Sequence, residues 1–526
     1  MTVIQDPIPP VQTEQPAPRA ADAWHVQAIA WALILIGAAI RLRMYLADRS
    51  LWRDEASLSL NIIHRSFGGL LHPLDYDQGA PIGFLMIQKL AVTFFGSNEF
   101  VLRFWPTLAS ILVLPLFYRL CRLILSRRGA LIALAVLAMS AGNSFYWADA
   151  KQYSTDVLAT VALLLCAAEA FPAENTRRKI TLIVVGAVAI WFSHPAVFVL
   201  SGIGVAAVIR WFAQKSRRRA AEVFLLAAVW GASFLANYLL CLRNLAHSDY
   251  LQQFWSEKAD AFAPMSASID SLIWYKRHFF ELFRYPFAQA LEGLVALAFL
   301  LGVVLIFHRR KALLAMLLVP MLAALAASAV HQYPFDTRLL LFLVPLTTIA
   351  VAAGLDFLCQ GSYRLVGILA IILVMISPIV TATQTLMAPP KNCEISDSMR
   401  FIAAHRKPGD VFYLSPTAQY GFMYYQSRFG LDGVPVTVGA RHLPALDDYA
   451  REFDQFAAKR LWVLFEDPYN GDPVREKQFN TEQPIAMDVL DTMGRCVWRT
   501  HPFNEYAACY DLTQAPAQPT ALSWDR

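Results

Sequence analysis

Charge is scarce in this chain. Asp, Glu, Lys and Arg make up 16% of its 526 residues, where soluble domains carry roughly a quarter. That scarcity argues against a large soluble core under a water-facing surface. Cysteines number seven, but no two stand in CxxC spacing, so a zinc site of that kind is excluded. The phosphate-binding pattern GxxxxGK[ST] is also missing, which removes ATP-driven transport. The net charge is only +5, and its basic residues form short, separated groups. A nucleic-acid partner is therefore not expected.

Long apolar runs are what the chain has instead. They cover Trp24 to Leu46, Val101 to Leu125, Leu131 to Trp147, Ile180 to Phe192, Ala196 to Phe212, Leu294 to Phe307 and Leu365 to Thr381. About twenty apolar residues span the hydrocarbon core as a helix. The expected fold class is an α-helical polytopic membrane protein with about eleven spans. Basic groups sit at Arg127-Arg128, Arg177 to Lys179, Arg217 to Arg219, Arg309 to Lys311 and Arg364. Lys and Arg in short loops mark the cytoplasmic side. Placing all of them there requires Ile82 to Phe95 to lie along the membrane surface, because a further span at that point would invert everything after it. Gly202-Ile203-Gly204 falls inside an apolar run with no strand before it, so it reads as close helix packing rather than a dinucleotide loop.

The domain plan follows. Residues 1–23, rich in Pro, Ala and Gln, are expected to be a disordered cytoplasmic tail. Residues 24–387 form the membrane domain, with its first span kept as an anchor and its first outer loop at 48–99. Residues 388–526 change character: turn signals such as Pro408-Gly409-Asp410 alternate with strand-like Val411 to Leu414 and Leu461 to Phe465, and Asp397 to His405 reads as a helix. This is a small α/β domain on the extracytoplasmic side. Cys496 and Cys509 flank a candidate hairpin at Pro502-Phe503. They either form a disulfide or remain free thiols, and Cys393 is a competing partner.

The chemistry-bearing residues gather at the outer ends of the spans. Leu51-Trp52-Arg53-Asp54-Glu55 follows the first span, and adjacent carboxylates at a membrane edge are costly unless solvated or paired. Asp77 and Gln78 lie in the same outer loop. Glu99 and Arg103, at helical i,i+4 spacing, begin the second span. Asp149, Lys151 and Tyr153 occupy the outer turn after the third. His194 ends the fifth, and Tyr333 and Arg338 precede the tenth. A lipid-linked phosphosugar would need cations for its phosphate, and Arg103, Lys151 and Arg338, with Tyr153, are the candidates. Because phosphate leaves readily, one carboxylate suffices as base, and Asp54 or Glu55 can supply it. Asp77, Gln78, Glu99, Asp149, His194 and Tyr333 remain for the acceptor or sugar. His194 with Asp54 or Asp149 would offer a divalent metal a place, though no metal-ligand spacing is present and no cofactor is required.

The order Trp52-x-Asp54-Glu55, Gln78-Gly79-Ala80-Pro81, Gly96-Ser97-Asn98-Glu99-x-x-x-Arg103 and Asp149-Ala150-Lys151-Gln152-Tyr153 resembles the GT-C superfamily of membrane glycosyltransferases. The nearest group is that of protein O-mannosyltransferases and lipid A aminoarabinose transferases. The likeness is clearest from Leu51 to Ala170 and returns weakly at Tyr333 to Pro345. It implies a polyprenyl-phosphate sugar donor, inversion at the anomeric carbon, Asp54 as base and Glu55 in support. The acceptor is a lipid, glycan or protein. The location is the inner (plasma) membrane, among its lipids, with the catalytic face outside. The chain departs from the group at Gly79-Ala80-Pro81, where His-Pro-Pro is usual. A transporter or flippase of a lipid-linked sugar is the rival reading; it would bury its charges near the bilayer midplane.

Overall fold

The computed structural model describes residues 20–140, 144–172, 175–246, 248–258, 260–287, 291–391, 393–440, 446–466, 473–500 and 505–514. Of the expected disordered tail 1–23, residues 1–19 lie outside these residues, as does the Pro502-Phe503 turn, while residues 20–23 are instead helical, as the start of Ala20–Tyr45. All eleven expected spans are helical. Nine of the helices among the described residues are long and apolar enough to cross a membrane, from Trp24–Tyr45 to Gly361–Met387. The other two, Arg127–Met139 and Thr176–Phe192, have 13 and 17 residues. At about 1.5 Å per residue both are shorter than the hydrocarbon core. Each begins ahead of its apolar run, at a side-chain cap, Ser126 or Asn175, that sets its first turn just before the basic residues.

Small residues draw the bundle together. Gly302 and Gly354 face each other between Glu292–Arg309 and Val344–Leu358, and a Cβ on either would strike the opposing backbone carbonyl, of Ala350 or Ala298. Gly202 lets Ala196–Gln214 approach Pro320 of Lys311–Ala329, where a Cβ would stand 2.8 Å from the proline ring. Gly204 has open space beside it. Arg41, buried in the first span, donates to the carbonyls of Gly37, Leu137 and Ala138 at 2.9–3.2 Å and lies over Trp147. It thereby locks that span to the helix leading into the Asp149 turn.

The loop at 48–99 holds two helices, Arg53–His64 and Ile82–Phe95. The second has 14 residues and exposes Leu90, Phe94 and Phe95, which fits a helix lying along a surface rather than crossing it. Gln88 and Lys89 interrupt its apolar pattern because they make buried contacts. Gln88 donates to the Leu102 carbonyl at 2.7 Å, and Lys89 caps the last carbonyls of Arg53–His64, at Ile62 and Ile63.

The C-terminal region is an α/β sandwich. Its sheet runs β2 (Val436–Val438), β1 (Val411–Leu414), β3 (Arg460–Glu466), β5 (Glu505–Asp511), β4 (Arg495–Thr500). β1 pairs parallel with β2 and β3, and the β3–β5 and β5–β4 pairs are antiparallel. Side chains alternate between two cores. Leu461, Val463 and Phe465 face Leu446–Phe453 and Pro473–Met493. Trp462 and Leu464 face Ile395–His405 and Gln419–Tyr425. The same alternation separates two cysteines read as possible disulfide partners. Cys509 points into the second core, while Cys496, across a bulge, packs with the first. Both thiols are free, as is that of Cys393.

Candidate active site

After the first span the chain enters Arg53–His64, whose first turn carries both acids. One residue of offset turns them about 100° apart on the helix, and they meet different surroundings.

Glu55 points inward and is fully buried. Arg103 grips it at both oxygens, Nε to Oε1 at 2.9 Å and Nη2 to Oε2 at 2.6 Å. The Ala150 N–H donates to Oε1 at 2.7 Å, and the Trp52 N–H approaches Oε2 at 3.4 Å. The remaining reach of Arg103 goes to the carbonyls of Arg49 and Ser50, at 2.6 and 3.0 Å. Beside this pair Asp149, also fully buried, accepts from Arg49 at 3.4 Å and from the Trp52 indole at 3.3 Å. Burial and the neighbouring Glu55 charge raise the Asp149 carboxyl above its ordinary value, against the pull of Arg49 and Arg103. This cluster ties the loop at 48–99, the second span and the turn before Tyr153 into one block.

Asp54 points outward and keeps 19% of its side chain exposed. Arg338, at the start of Thr337–Leu343, meets its carboxylate at 2.5 Å. The guanidinium is held between the rings of Trp52 and Trp255, each 5.6 Å away. Burial pushes the Asp54 carboxyl up, but Arg338, Lys151 and Arg53 outweigh it and hold the group below its ordinary range. Asp54 is therefore ionised at neutral pH.

Both residues line a cavity of about 460 Å³, within the usual size of a small-molecule site. Lys151 stands on its wall and donates to Gln78 at 2.6 Å. Burial lowers the Lys151 ammonium to about 8, partly opposed by the carboxylates nearby. Tyr153, Asp77, His194 and Tyr333 share the lining. Tyr76 and Asp77 hold left-handed backbone, φ 64° and 54°, a costly conformation that side chains rarely adopt outside functional turns. Gly79 allows Leu245 to pack on this turn; a Cβ there would lie 2.6 Å from it. Deeper in, the walls turn aromatic and apolar, with Phe198, Phe234, Tyr238 and Phe262. Two π-helical turns, Tyr238–Leu242 and Phe254–Lys258, border the space, and such turns recur at functional sites.

Eight of the twelve residues singled out in the sequence thus meet at one cavity: Asp54, Asp77, Gln78, Lys151, Tyr153, His194, Tyr333 and Arg338. The other four stand elsewhere. Glu55, Arg103 and Asp149 form the buried block behind the wall. Arg103 is a correction to the expected phosphate ligand, because its donors are already taken by Glu55 and two carbonyls. Glu99 pairs not with Arg103 but with Arg428 of the C-terminal domain, at 2.7 and 2.8 Å. Among the described residues no group of three or more His, Cys, Asp or Glu side chains could hold a metal. Burial drives the His194 imidazole down to about 4, so it is neutral.

Other lining residues escaped the sequence reading. Tyr250, which accepts from the Arg53 guanidinium at 3.3 Å, and Trp255 come from the loop after residue 244, whose aromatic content was its one signal. Tyr420 comes from the C-terminal domain, its ring tilted against that of Tyr76 at 5.1 Å. No local pattern marks it.

No protein-family model matches this chain, and no curated protein does either. Solved structures do. ArnT from Cupriavidus metallidurans in the apo state superposes with a TM-score of 0.52 at 12% identity, covering 95% of this chain and all of that one. The same protein bound to undecaprenyl phosphate gives 0.51 at 13%, with the same coverage. At such identity the likeness concerns the backbone, and it runs through the membrane helices and the C-terminal sheet alike. The chain shares the fold of these solved structures.

Proposed function

We propose that this protein moves a sugar from a polyprenyl-phosphate carrier to a hydroxyl group at the outer face of the membrane. The observation that carries the reading is the shared cavity wall: the ionised Asp54 carboxylate stands with Arg338 and Lys151 over an aromatic, apolar recess. A structure with this fold has been solved bound to undecaprenyl phosphate, which supports a carrier of that class here.

The chemistry follows from the charges. The carrier phosphate takes Arg338 and Lys151 as counter-ions, and its isoprenoid tail lies against Phe198, Phe234 and Tyr238. Arg338 turning toward phosphate loosens its hold on Asp54. The acceptor hydroxyl gives its proton to the Asp54 carboxylate while its oxygen forms the bond to the anomeric carbon. The bond from that carbon to the phosphate oxygen breaks, and the carrier phosphate leaves with the electron pair. Attack from the face opposite the phosphate inverts the centre. The leaving group is a stable anion, so no acid is needed, unlike the two-carboxylate arrangement of glycoside hydrolysis. Gln78, Asp77, His194 and Tyr333 are placed to contact sugar or acceptor hydroxyls. Glu55, Arg103 and Asp149 hold the wall in place. The basic clusters then lie on the cytoplasmic side, and the cavity and C-terminal domain outside, in a plasma-membrane protein.

The test is transfer by purified protein from radiolabelled polyprenyl-phosphate hexose or pentose to a membrane extract. Labelled product that disappears when the carrier phosphate is omitted is expected. Translocation of the intact carrier in vesicles, with no transfer from any donor, would replace this reading with that of a flippase.

A further inference from the structure

The helix that carries Asp54 has an unusual beginning. The first N–H groups of a helix find no acceptor within it, and a side chain at the preceding position normally caps them. Here that position is Trp52, whose indole can only donate. The caps come from elsewhere. Glu55 reaches back to the Trp52 N–H. The Arg53 N–H, immediately before Asp54, donates to Glu466 Oε1 at 3.1 Å, across 413 residues of sequence.

Glu466 ends β3 and is buried. It shares the sheet face of Trp462 and Leu464, the face that turns toward the membrane domain. Thr417 and Ser415 fix its backbone, through its carbonyl at 2.7 Å and its N–H at 3.4 Å. Glu505 sits directly across on β5, its carboxyl raised by burial and by the Glu466 charge. The same face holds the neighbouring loop residues one by one. Tyr425 accepts the Leu51 N–H at 2.9 Å, and Ser396 meets Ser50 at 2.8 Å. The helix Gln419–Tyr425 packs on Arg53–His64 and brings Tyr420 to the cavity.

We propose that Glu466 is a positioning residue for sugar transfer: by capping the Arg53 N–H it sets where Asp54 stands, which makes the C-terminal domain a working part of the site. The inference rests on the glycosyl-transfer reading above. A carboxylate at a helix N-terminus also matches the positive end of the helix dipole. A passive docking contact would affect only how firmly the domains hold together. A positioning contact affects turnover once donor is bound.

The experiment uses the full chain purified in nanodiscs, with Glu466→Gln, Glu466→Asp and Glu466→Ala. Gln keeps an acceptor oxygen in place, Asp withdraws it, and Ala removes it. Amide hydrogen exchange over residues 52–57 is expected to quicken by about tenfold or more in Asp and Ala, and to stay near wild type in Gln. In the transfer assay, kcat should fall by about tenfold in Asp and Ala with donor KM unchanged, and recover to within about threefold in Gln. Unchanged exchange, a loss confined to KM, or equal loss in Gln and Asp would overturn the proposal. If Ala does not fold, the Gln and Asp pair decides. Wild-type protein inert toward every donor would overturn the glycosyl-transfer reading and the positioning role with it, while the exchange comparison would still judge the cap by itself.

Discussion

The two faces of the Arg53–His64 helix meet opposite conditions. On one, Glu55 is enclosed, gripped at both oxygens by Arg103 and further tied to the Ala150 N–H. On the other, Asp54 keeps part of its surface open and shares a cavity with Arg338 and Lys151. Both carboxylates have an arginine. What differs is saturation: a carboxylate whose lone pairs are already occupied has nothing left to offer a substrate, and one on a cavity wall with an exchangeable partner does. Adjacent identical charges can thus serve stability and chemistry separately.

Breaking the enclosed side should show the largest effect. Glu55→Ala leaves Arg103 buried without its partner, a loss of about 3–5 kcal/mol for such pairs. Thermal unfolding of the purified protein should reveal it as a large fall in Tm, whatever the donor. A Glu55→Ala protein of normal stability and low turnover would place Glu55 in the chemistry instead.

The open side should respond in substrate affinity. Arg338→Ala removes one of two phosphate counter-ions, and donor KM is expected to rise about tenfold or more, in line with a charged hydrogen bond. Little change in Tm should accompany it. An unaltered KM would move the phosphate away from Arg338.

The pH profile sharpens the same contrast. Burial places the Lys151 ammonium at about 8, so its charge is present at neutral pH and is lost as pH rises through that value. Donor binding should weaken above about pH 8, by up to tenfold per pH unit. Asp54 is held below its ordinary range, so this carboxylate contributes no acidic limb down to about pH 5. Lys151→Arg should remove the alkaline limb, which isothermal titration with the donor can follow.

The smallest effect is expected at the rim. Arg428 pairs with Glu99 across the domains but is 43% exposed, and Arg428→Ala should cost no more than about 1 kcal/mol. A larger loss would mean that the interface depends on this pair more than on the buried Glu466 and Tyr425 contacts.

Much of this layout could be read from residue order, and the unread part has a common cause. Span-length apolar runs, the surface helix Ile82–Phe95 and the strands Val411–Leu414 and Arg460–Glu466 follow from hydrophobic period and length, which are local properties. The acids and bases at outer helix ends were also visible, because charges beside membrane spans stand out. Which of them face a cavity was not. The Glu99 to Arg103 spacing pointed to a helix pair, yet tertiary partners, Arg428 and Glu55, offered better geometry. The helices Arg127–Met139 and Thr176–Phe192 begin ahead of their apolar runs because capping residues, not apolar content, set where they begin. Tyr420 and Glu466 were invisible because only the folding of the C-terminal sheet against the first outer loop brings them within reach. Of the two readings of Cys496 and Cys509, free thiols hold, since a bulge puts them on opposite faces.

The division of labour between Asp54 and Glu55 meets its most direct test in single-turnover transfer with donor already bound, comparing wild type with Asp54→Asn. Donor affinity should be unchanged or higher, and the rate of sugar transfer should drop by about a hundredfold or more. A variant that transfers at the wild-type rate would contradict the account at its centre, because no other carboxylate among the described residues shares that wall with both cations except Asp77, which would then have to be the base.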